Sequence, residues 1–220
     1  MFRHIINVTL LVVSVGCLLI CHTAEANKDF VYRPEVAFTG PITDQVRWTA
    51  SVEPRFSKND QQDGKIALVG GFCWKPTDHI TISPEFKYLT RFKEPYADSD
   101  EYRPRLSVEL AGTAGSFKLA VRNRFEYRMK EGKDKYWRYR ARLKVKFPKV
   151  GTVNPFLYEE VFYEFGNKNT FDRNEAGIGV DLPFCDQVRL ETDLRLNHSK
   201  YHGKWGTGEI HLLMALKYSF

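Results

Sequence analysis

After its N-terminus, this sequence has no apolar run that approaches the ~18 residues of a membrane-spanning helix. Its mean hydropathy is negative. A helical membrane protein is therefore excluded. A membrane β-barrel is not excluded, because only every second residue of a barrel strand needs to face lipid.

The sequence also lacks the short motifs of common enzyme and cofactor sites. It contains no GxSxG, HExxH, P-loop or dinucleotide-binding motif, and neither Cys73 nor Cys185 has a CxxC or metal-ligand spacing. The local cluster Asn197-His198-Ser199 is not a dyad, because adjacent residues of a strand point to opposite faces. His202 is assigned to a loop, and His211, if it faces inward, is expected to be a hydrogen-bonded structural residue. We expect no metal or cofactor, and no enzyme activity.

The N-terminus has the features of a targeting segment. Arg3 and His4 precede an apolar run over 5–20, and Ala24-Glu25-Ala26 is an A-x-A cleavage signal. These features predict a cleaved signal peptide over residues 1–26 and one mature domain over residues 27–220. Lipidation at Cys17 or Cys21 is the alternative. It fits less well, because Ile20 precedes Cys21 where a small residue belongs.

Cleavage leaves two cysteines, Cys73 in a candidate strand and Cys185 in a candidate turn. Export to an oxidising compartment permits a disulfide between them. Their separate positions along the chain are equally compatible with two free thiols. The sequence leaves both alternatives open.

The stretch from Tyr136 to Phe147 shows the pattern that the chain repeats. Its alternate residues include five consecutive cations on one side, while the other side is apolar and aromatic. Strict period-2 alternation predicts a β-strand with one polar and one apolar face. The stretch is twice the usual strand length of five or six residues, and matches a tilted strand that crosses a bilayer.

The same alternation gives eleven candidate strands, separated in turn by tight turns and longer polar loops. This order predicts an all-β protein, a transmembrane antiparallel up-and-down β-barrel of 10–12 strands. Bacterial barrels have even strand counts as a rule, so we expect ten or twelve. Either the first segment, weakened by Pro34, stays outside the barrel or two strands are merged. The candidates are 29–38, 46–56, 65–74, 80–92, 102–111, 116–129, 136–147, 156–165, 173–182, 188–198 and 209–220.

A soluble, lipocalin-like barrel has the same alternation with its faces reversed. Two features favour the membrane alternative: the strands are too many and too long for eight-stranded lipocalins, and the last strand ends in the aromatic Phe220. An aromatic terminus of this kind is read by the barrel assembly machinery. Aromatic residues also cluster near strand ends, as membrane interfaces require. We therefore expect the bacterial outer membrane, with the lipid bilayer, lipopolysaccharide and the assembly machinery as partners.

Four segments occur in a characteristic order: RNRFEYR at 122–128, RYRARLKVKFP at 138–148, NPFLYEEVFYEF at 154–165 and FDRNEAGIGVDL at 171–182. In this order they resemble the uncharacterised bacterial family called domain of unknown function 2490. The resemblance implies an outer-membrane barrel and no known substrate. This sequence departs from the family's pattern in its first strand and at Glu159, which falls on the apolar face of its strand.

The inward residues of the predicted barrel form the candidate functional surface. Net charge is +6, but the cations lie on alternating strand faces, so we expect no nucleic-acid partner. The predicted basic wall is Arg122, Arg124, Arg128, Arg138, Arg140, Arg142, Lys144 and Lys146, and its predicted acidic partners are Glu109, Glu126, Glu160, Glu164 and Glu175.

Three functions remain as hypotheses. Rings of Arg and Lys attract anions, which favours a small porin-like channel or passive transport barrel for small anions. The alternative is a closed structural or surface-interaction barrel, in which ion pairs fill the interior and nothing is transported. The third is an outer-membrane hydrolase or acyltransferase acting on lipid or peptide. A barrel of 10–12 strands has a small interior, so a large open conductance is not expected.

Overall fold

The computed structural model describes residues 29–57, 64–92, 100–166, 169–201 and 204–220. The predicted signal peptide and His202 lie outside these ranges. Within them no helix is long and apolar enough to cross a membrane.

Eleven β-strands are present in the described residues, at the places where alternation predicts them. They are 11 to 16 residues long, so each is longer than a typical strand of a soluble protein. The strands are β1 Asp29–Pro41, β2 Val46–Ser57, β3 Gly64–Thr77, β4 Ile80–Phe92, β5 Glu101–Ala114, β6 Phe117–Lys130, β7 Tyr136–Lys146, β8 Asn154–Phe165, β9 Thr170–Pro183, β10 Val188–Tyr201 and β11 Lys204–Ser219.

These strands form one closed barrel in which each strand pairs with its sequence neighbours, and β1 pairs with β11. The closing pair is parallel and runs from Asp29 opposite Glu209 to Thr39 opposite Ser219. The expectation of an even count is wrong. In an up-and-down chain with an odd number of strands, the first and last strands point the same way, so closure requires one parallel pair.

Pro34 is accommodated by a local break in the β1–β2 ladder. The paired residues stop at Tyr32 and Phe56 and resume at Val36 and Val52. Pro34 and Pro54 both lie in this interval, and neither has an amide hydrogen to donate. The first segment therefore belongs to the barrel despite its proline.

The chain connections differ at the two ends of the barrel. The end at which β11 finishes, named here the tight-turn end, has four connections of two to four residues and one of seven residues after β7. In the two-residue β5–β6 turn, Gly115 has a φ of 60° that favours glycine. The other end carries the connections after β2, β4, β6, β8 and β10. The predicted loop 199–208 is wrong in part, because β10 and β11 continue as a hairpin to Tyr201 opposite Lys204. The alternation of apolar and polar residues is lost in this segment, although the backbone pairing of the two strands continues.

The two faces of the barrel are the reverse of those in a soluble protein. Apolar side chains point outward, including Ile178 at 64% exposure, while Glu126 and Glu160 point inward and are at most 2% exposed. A soluble, lipocalin-like arrangement is therefore excluded. Glu159 is a charged exception, since it faces outward on β8, where it accepts a hydrogen bond from Asn174 Nδ2 at 2.8 Å.

Outward aromatic rings contact one another near both ends of the strands. At the end with tight turns the Trp48 and Phe220 rings are 5.7 Å apart, and at the other end the Tyr127 and Trp137 rings are 4.9 Å apart. Such bands are typical of the two interfaces of a membrane barrel.

One part of the lumen wall is built from aromatic rings over glycines. Phe156 and Tyr158 on β8 point inward opposite Gly179 and Gly177 on β9. A methyl group at Gly179 would lie 2.6 Å from the Phe156 ring and 2.4 Å from the carbonyl oxygen of Thr192. Because Gly177 and Gly179 have no side chains, the rings of Phe156 and Tyr158 can occupy the space above them.

We predict that Gly179→Ala destabilises the barrel by about 1–3 kcal/mol, the usual cost of overpacking. The matched control is Gly70→Ala, because a methyl group at Gly70 has no atom within 4 Å. Urea unfolding in lipid vesicles, followed by heat-modifiable gel migration, measures the difference. Equal stabilities for the two variants would show that the rings do not need this space.

Candidate functional site

A cavity of about 410 Å³ lies on the barrel axis. Each of the strands β1 to β11 contributes lining residues, so the cavity is the lumen and not a pocket on one side. The described residues that line it include fourteen Lys or Arg and seven Asp or Glu side chains. The residues that line this cavity therefore include twice as many cationic as acidic side chains, and further carboxylates outside the lining, such as Glu126, pair with some of those cations.

All eight residues of the predicted basic wall lie on the inward faces of β6 and β7. Arg140 has the most acidic contacts, with Nη1 donating to Glu126 Oε1 at 3.0 Å and Nη2 to Glu160 Oε2 at 2.7 Å. Arg122 also donates to Glu160, at 2.8 Å. One buried carboxylate thus holds guanidinium groups from both strands.

The other six wall residues also contact carboxylates at varied distances. Arg142 has the longest separation, 3.9 Å from its Nη2 to Glu109 Oε2. The pairs are Arg124–Glu85 at 3.0 Å, Arg128 with Glu101, Arg138–Glu164 at 3.7 Å, Arg138–Asp172 at 3.4 Å, Lys144–Glu191 at 3.3 Å and Lys146–Asp181 at 3.2 Å.

Four of the five predicted acidic partners contact the wall, and Glu175 does not. Glu175 points inward on β9 but lies 3.7 Å from Arg195 and 3.9 Å from Arg173. Sequence reasoning missed further acidic partners: alternation places Glu85, Asp181 and Glu191 on inward strand faces, whereas Glu101 and Asp172 lie just outside the candidate strands. The missed wall partners are Glu85, Glu101, Asp172, Asp181 and Glu191.

A second centre of charge lies on the first four strands, around Glu53. Arg33 donates to both of its oxygens, at 2.9 and 3.0 Å, and Arg55 donates to Oε1 at 2.5 Å. Lys87 Nζ lies 3.6 Å from Oε2. Sequence reasoning did not find this centre, because it treated β1 as doubtful and Arg33 comes from β1.

The ion pairs of the described residues follow the wall of the barrel. Most join neighbouring strands or strands two apart, and the widest, Lys144 on β7 with Glu191 on β10, joins strands three apart. A pair across the diameter would join strands five or six apart. The pairs described here therefore coat the wall and do not bridge the axis.

Inward aromatic rings hold several of the cations without neutralising them. The Arg140 guanidinium lies 4.6 Å from the centre of the Phe162 ring, and Lys144 Nζ lies 3.6 Å from that of Phe156. Cation–π contacts are attractive but bring no negative charge. They stabilise the wall without adding negative charge to it.

In the described part of the chain, the histidine and cysteine candidates do not come together in one site. Ser199 donates to Asn197 on the inward face, opposite to the face of His198. His211 is buried in the lumen, with Nε2 2.7 Å from Glu209 and Nδ1 3.3 Å from Arg33. No group of three or more potential metal ligands occurs among these residues.

Both cysteines of the predicted mature domain are free. Cys73 is half-buried on the inward face of β3, opposite Arg47 of β2. Cys185 is exposed in the turn between β9 and β10. The disulfide that the sequence left open is not formed.

Comparison with known families assigns the barrel. The family described as "Protein of unknown function (DUF2490)" matches residues 34–207. The chain belongs to this family. The matched range begins in β1 and ends in β11, so the DUF2490 domain is the barrel, and the resemblance inferred from its motifs is confirmed.

Among solved structures, the DUF2490 barrel is similar to the crystal structure of the siderophore receptor PirA from Pseudomonas aeruginosa. The identity is 14% and the TM-score 0.34, with 72% of this chain and 33% of that chain covered. The chain thus spans about a third of the length of that receptor chain. No curated protein matches the sequence.

We predict that Arg140→Gln and Arg142→Gln differ strongly in stability. Loss of Arg140 leaves Glu126 without the partner at 3.0 Å, so we expect a cost of about 3 kcal/mol. Loss of Arg142 removes an ion pair at 3.9 Å to a partly exposed Glu109 and a cation–π contact with the Tyr158 ring, and it leaves no buried carboxylate unpaired, so we expect a cost of about 1 kcal/mol or less. Urea unfolding in vesicles tests both. A cost for Arg142→Gln that matched the cost for Arg140→Gln would contradict this ranking.

Proposed function

We propose that this DUF2490 protein is an outer-membrane barrel that acts as a small passive pore favouring anions, and not as an enzyme. The observation that carries the proposal is the axial cavity, which every strand lines and in which fourteen cationic side chains face seven acidic ones. Rings of cations in a low-dielectric pore attract anions and repel cations.

The geometry of the ion pairs supports passage and not a plug. The described pairs lie along the wall, so they hold the side chains in place beside the axial cavity and do not span it. The cavity volume of about 410 Å³ is near the lower end for small-ligand sites. The proposal is therefore limited to small solutes.

The outward face supports placement in a membrane. It is apolar, with aromatic rings at both ends of the strands. The terminal Phe220 belongs to the band at the tight-turn end, and its amide donates to the Thr39 carbonyl at 2.9 Å. In this proposal lipid covers the band, lipopolysaccharide contacts the outer end, and the assembly machinery reads Phe220.

We predict that the refolded protein gives small anion-selective conductance steps in planar bilayers. Arg142→Gln shifts the reversal potential toward zero, since it removes a positive charge from the cavity lining without orphaning a buried carboxylate. Lys149→Gln is the matched control, because it removes one exposed charge in the turn after β7, outside the cavity.

Two results would contradict the proposed pore. One is a silent bilayer from a barrel whose heat-modifiable migration proves that it is folded, which would favour the closed, salt-bridged alternative. The other is a cation-selective reversal potential.

The native Cys185 permits a test of membrane placement. It is exposed at the tight-turn end, which we propose is periplasmic. In a Cys73→Ser background, we predict that an impermeant maleimide labels Cys185 only after the outer membrane is permeabilised. Lys133→Cys, placed at the other end in a cysteine-free background, serves as control and should be labelled in intact cells. The reverse pattern would mean that the orientation is wrong.

A further inference from the structure

Four arginines of the lumen wall lie close together on three neighbouring strands: Arg105 on β5, Arg122 and Arg124 on β6, and Arg142 on β7. Arg122 is near enough to repel each of the other three. It also lies directly opposite Arg142 in the β6–β7 register. Like charges directly opposite one another destabilise a sheet unless something neutralises them.

The negative charge of the carboxylates near these four arginines does not balance the positive charge of the arginines. Arg105 and Arg124 share a single oxygen, Glu85 Oε2, each at 3.0 Å. Arg122 depends on Glu160, which also holds Arg140. Arg142 is left with Glu109 at 3.9 Å, on a side chain that is itself 34% exposed. The cluster therefore retains uncompensated positive charge.

Hydrogen-bond donors in the same cluster are also unused. The Nε atoms of Arg105, Arg122 and Arg142 are buried and have no hydrogen-bond partner. The Arg105 side chain is only 7% exposed, yet it lines the axial cavity. Buried donors without partners are costly, so their presence beside a cavity indicates a site for an acceptor.

The choice of cation indicates which acceptor fits. Of the fourteen cationic side chains that line the cavity, eleven are arginine and three are lysine. A guanidinium group is a planar fork that matches two oxygens of a carboxylate or phosphate, whereas lysine acts as a point charge. A pore that selected only halide ions would not need the paired donors of a guanidinium group.

We propose that Arg105, Arg122, Arg124 and Arg142 form a binding site for small oxyanions of the phosphate or carboxylate class. This inference rests on the proposed pore, because the site lies in its lumen. Bound in the cluster, an oxyanion accepts from the guanidinium groups that line the cavity and relieves the repulsion between Arg122 and Arg142. The pore would then select oxyanions by occupancy as well as by charge.

The first test measures inhibition of chloride current by inorganic phosphate at constant ionic strength. Phosphate is expected to reduce the wild-type current, with a half-inhibiting concentration about tenfold higher in Arg142→Lys, which keeps the charge but loses the fork. Arg189→Lys, outside the cavity lining, is the control and should behave as wild type. Equal inhibition of wild type and Arg142→Lys would overturn the proposal. Inhibition by phosphate but not by acetate would assign the site to phosphate rather than to carboxylates.

A second test does not depend on conduction. Phosphate is expected to raise the unfolding temperature of the detergent-solubilised barrel above that in chloride of equal ionic strength, and less so for Arg142→Lys. An anion-selective pore that ignores phosphate in both tests would refute the site and leave the pore intact. A silent bilayer with phosphate-dependent stabilisation would refute the pore and support the site.

Discussion

Closure of the sheet is the constraint on which the rest of the structure depends. Backbone N–H and C=O groups that face hydrocarbon must be paired within the protein, and a barrel pairs them only if its first and last strands meet. Here β1 and β11 meet through the parallel ladder that runs from Asp29–Glu209 to Thr39–Ser219. Once the sheet is closed, alternation points each side chain of a strand either into a narrow lumen or outward, and most charged side chains of the described strands point into the lumen.

The confined charges are arranged by the stagger of the strands. Direct register places Arg122 opposite Arg142 and Arg124 opposite Arg140, which alone would be repulsive. The compensating carboxylates come from strands one to three positions away, such as Glu85, Glu160 and Glu191. Ions withdrawn from bulk water need such partners. Aromatic faces on β8 contact two of these cations, Arg140 and Lys144, in addition to their carboxylate partners.

Much of this was predictable from sequence, because period 2 is a local property. The alternation located the strands and assigned Arg138, Arg140 and Arg142 to the inward face. The pairing of Arg124 with Glu85 was not predictable, since it depends on the relative stagger of strands that do not touch. The eleven candidate strands are confirmed, but the expectation of an even count was wrong, because it rested on the usual antiparallel closure and gave Pro34 more weight than the backbone pairing around it.

The position of β1 has a consequence for how the barrel assembles. On one side it is held by the β11 ladder, which is parallel and joins residues at opposite ends of the chain; on the other its ladder is interrupted around Pro34 and Pro54. Parallel pairing is slightly weaker per residue, and contacts between distant segments carry the largest loop-closure entropy. We therefore expect β1 to dock last during folding, and its amides to exchange with solvent before those of β6 and β7.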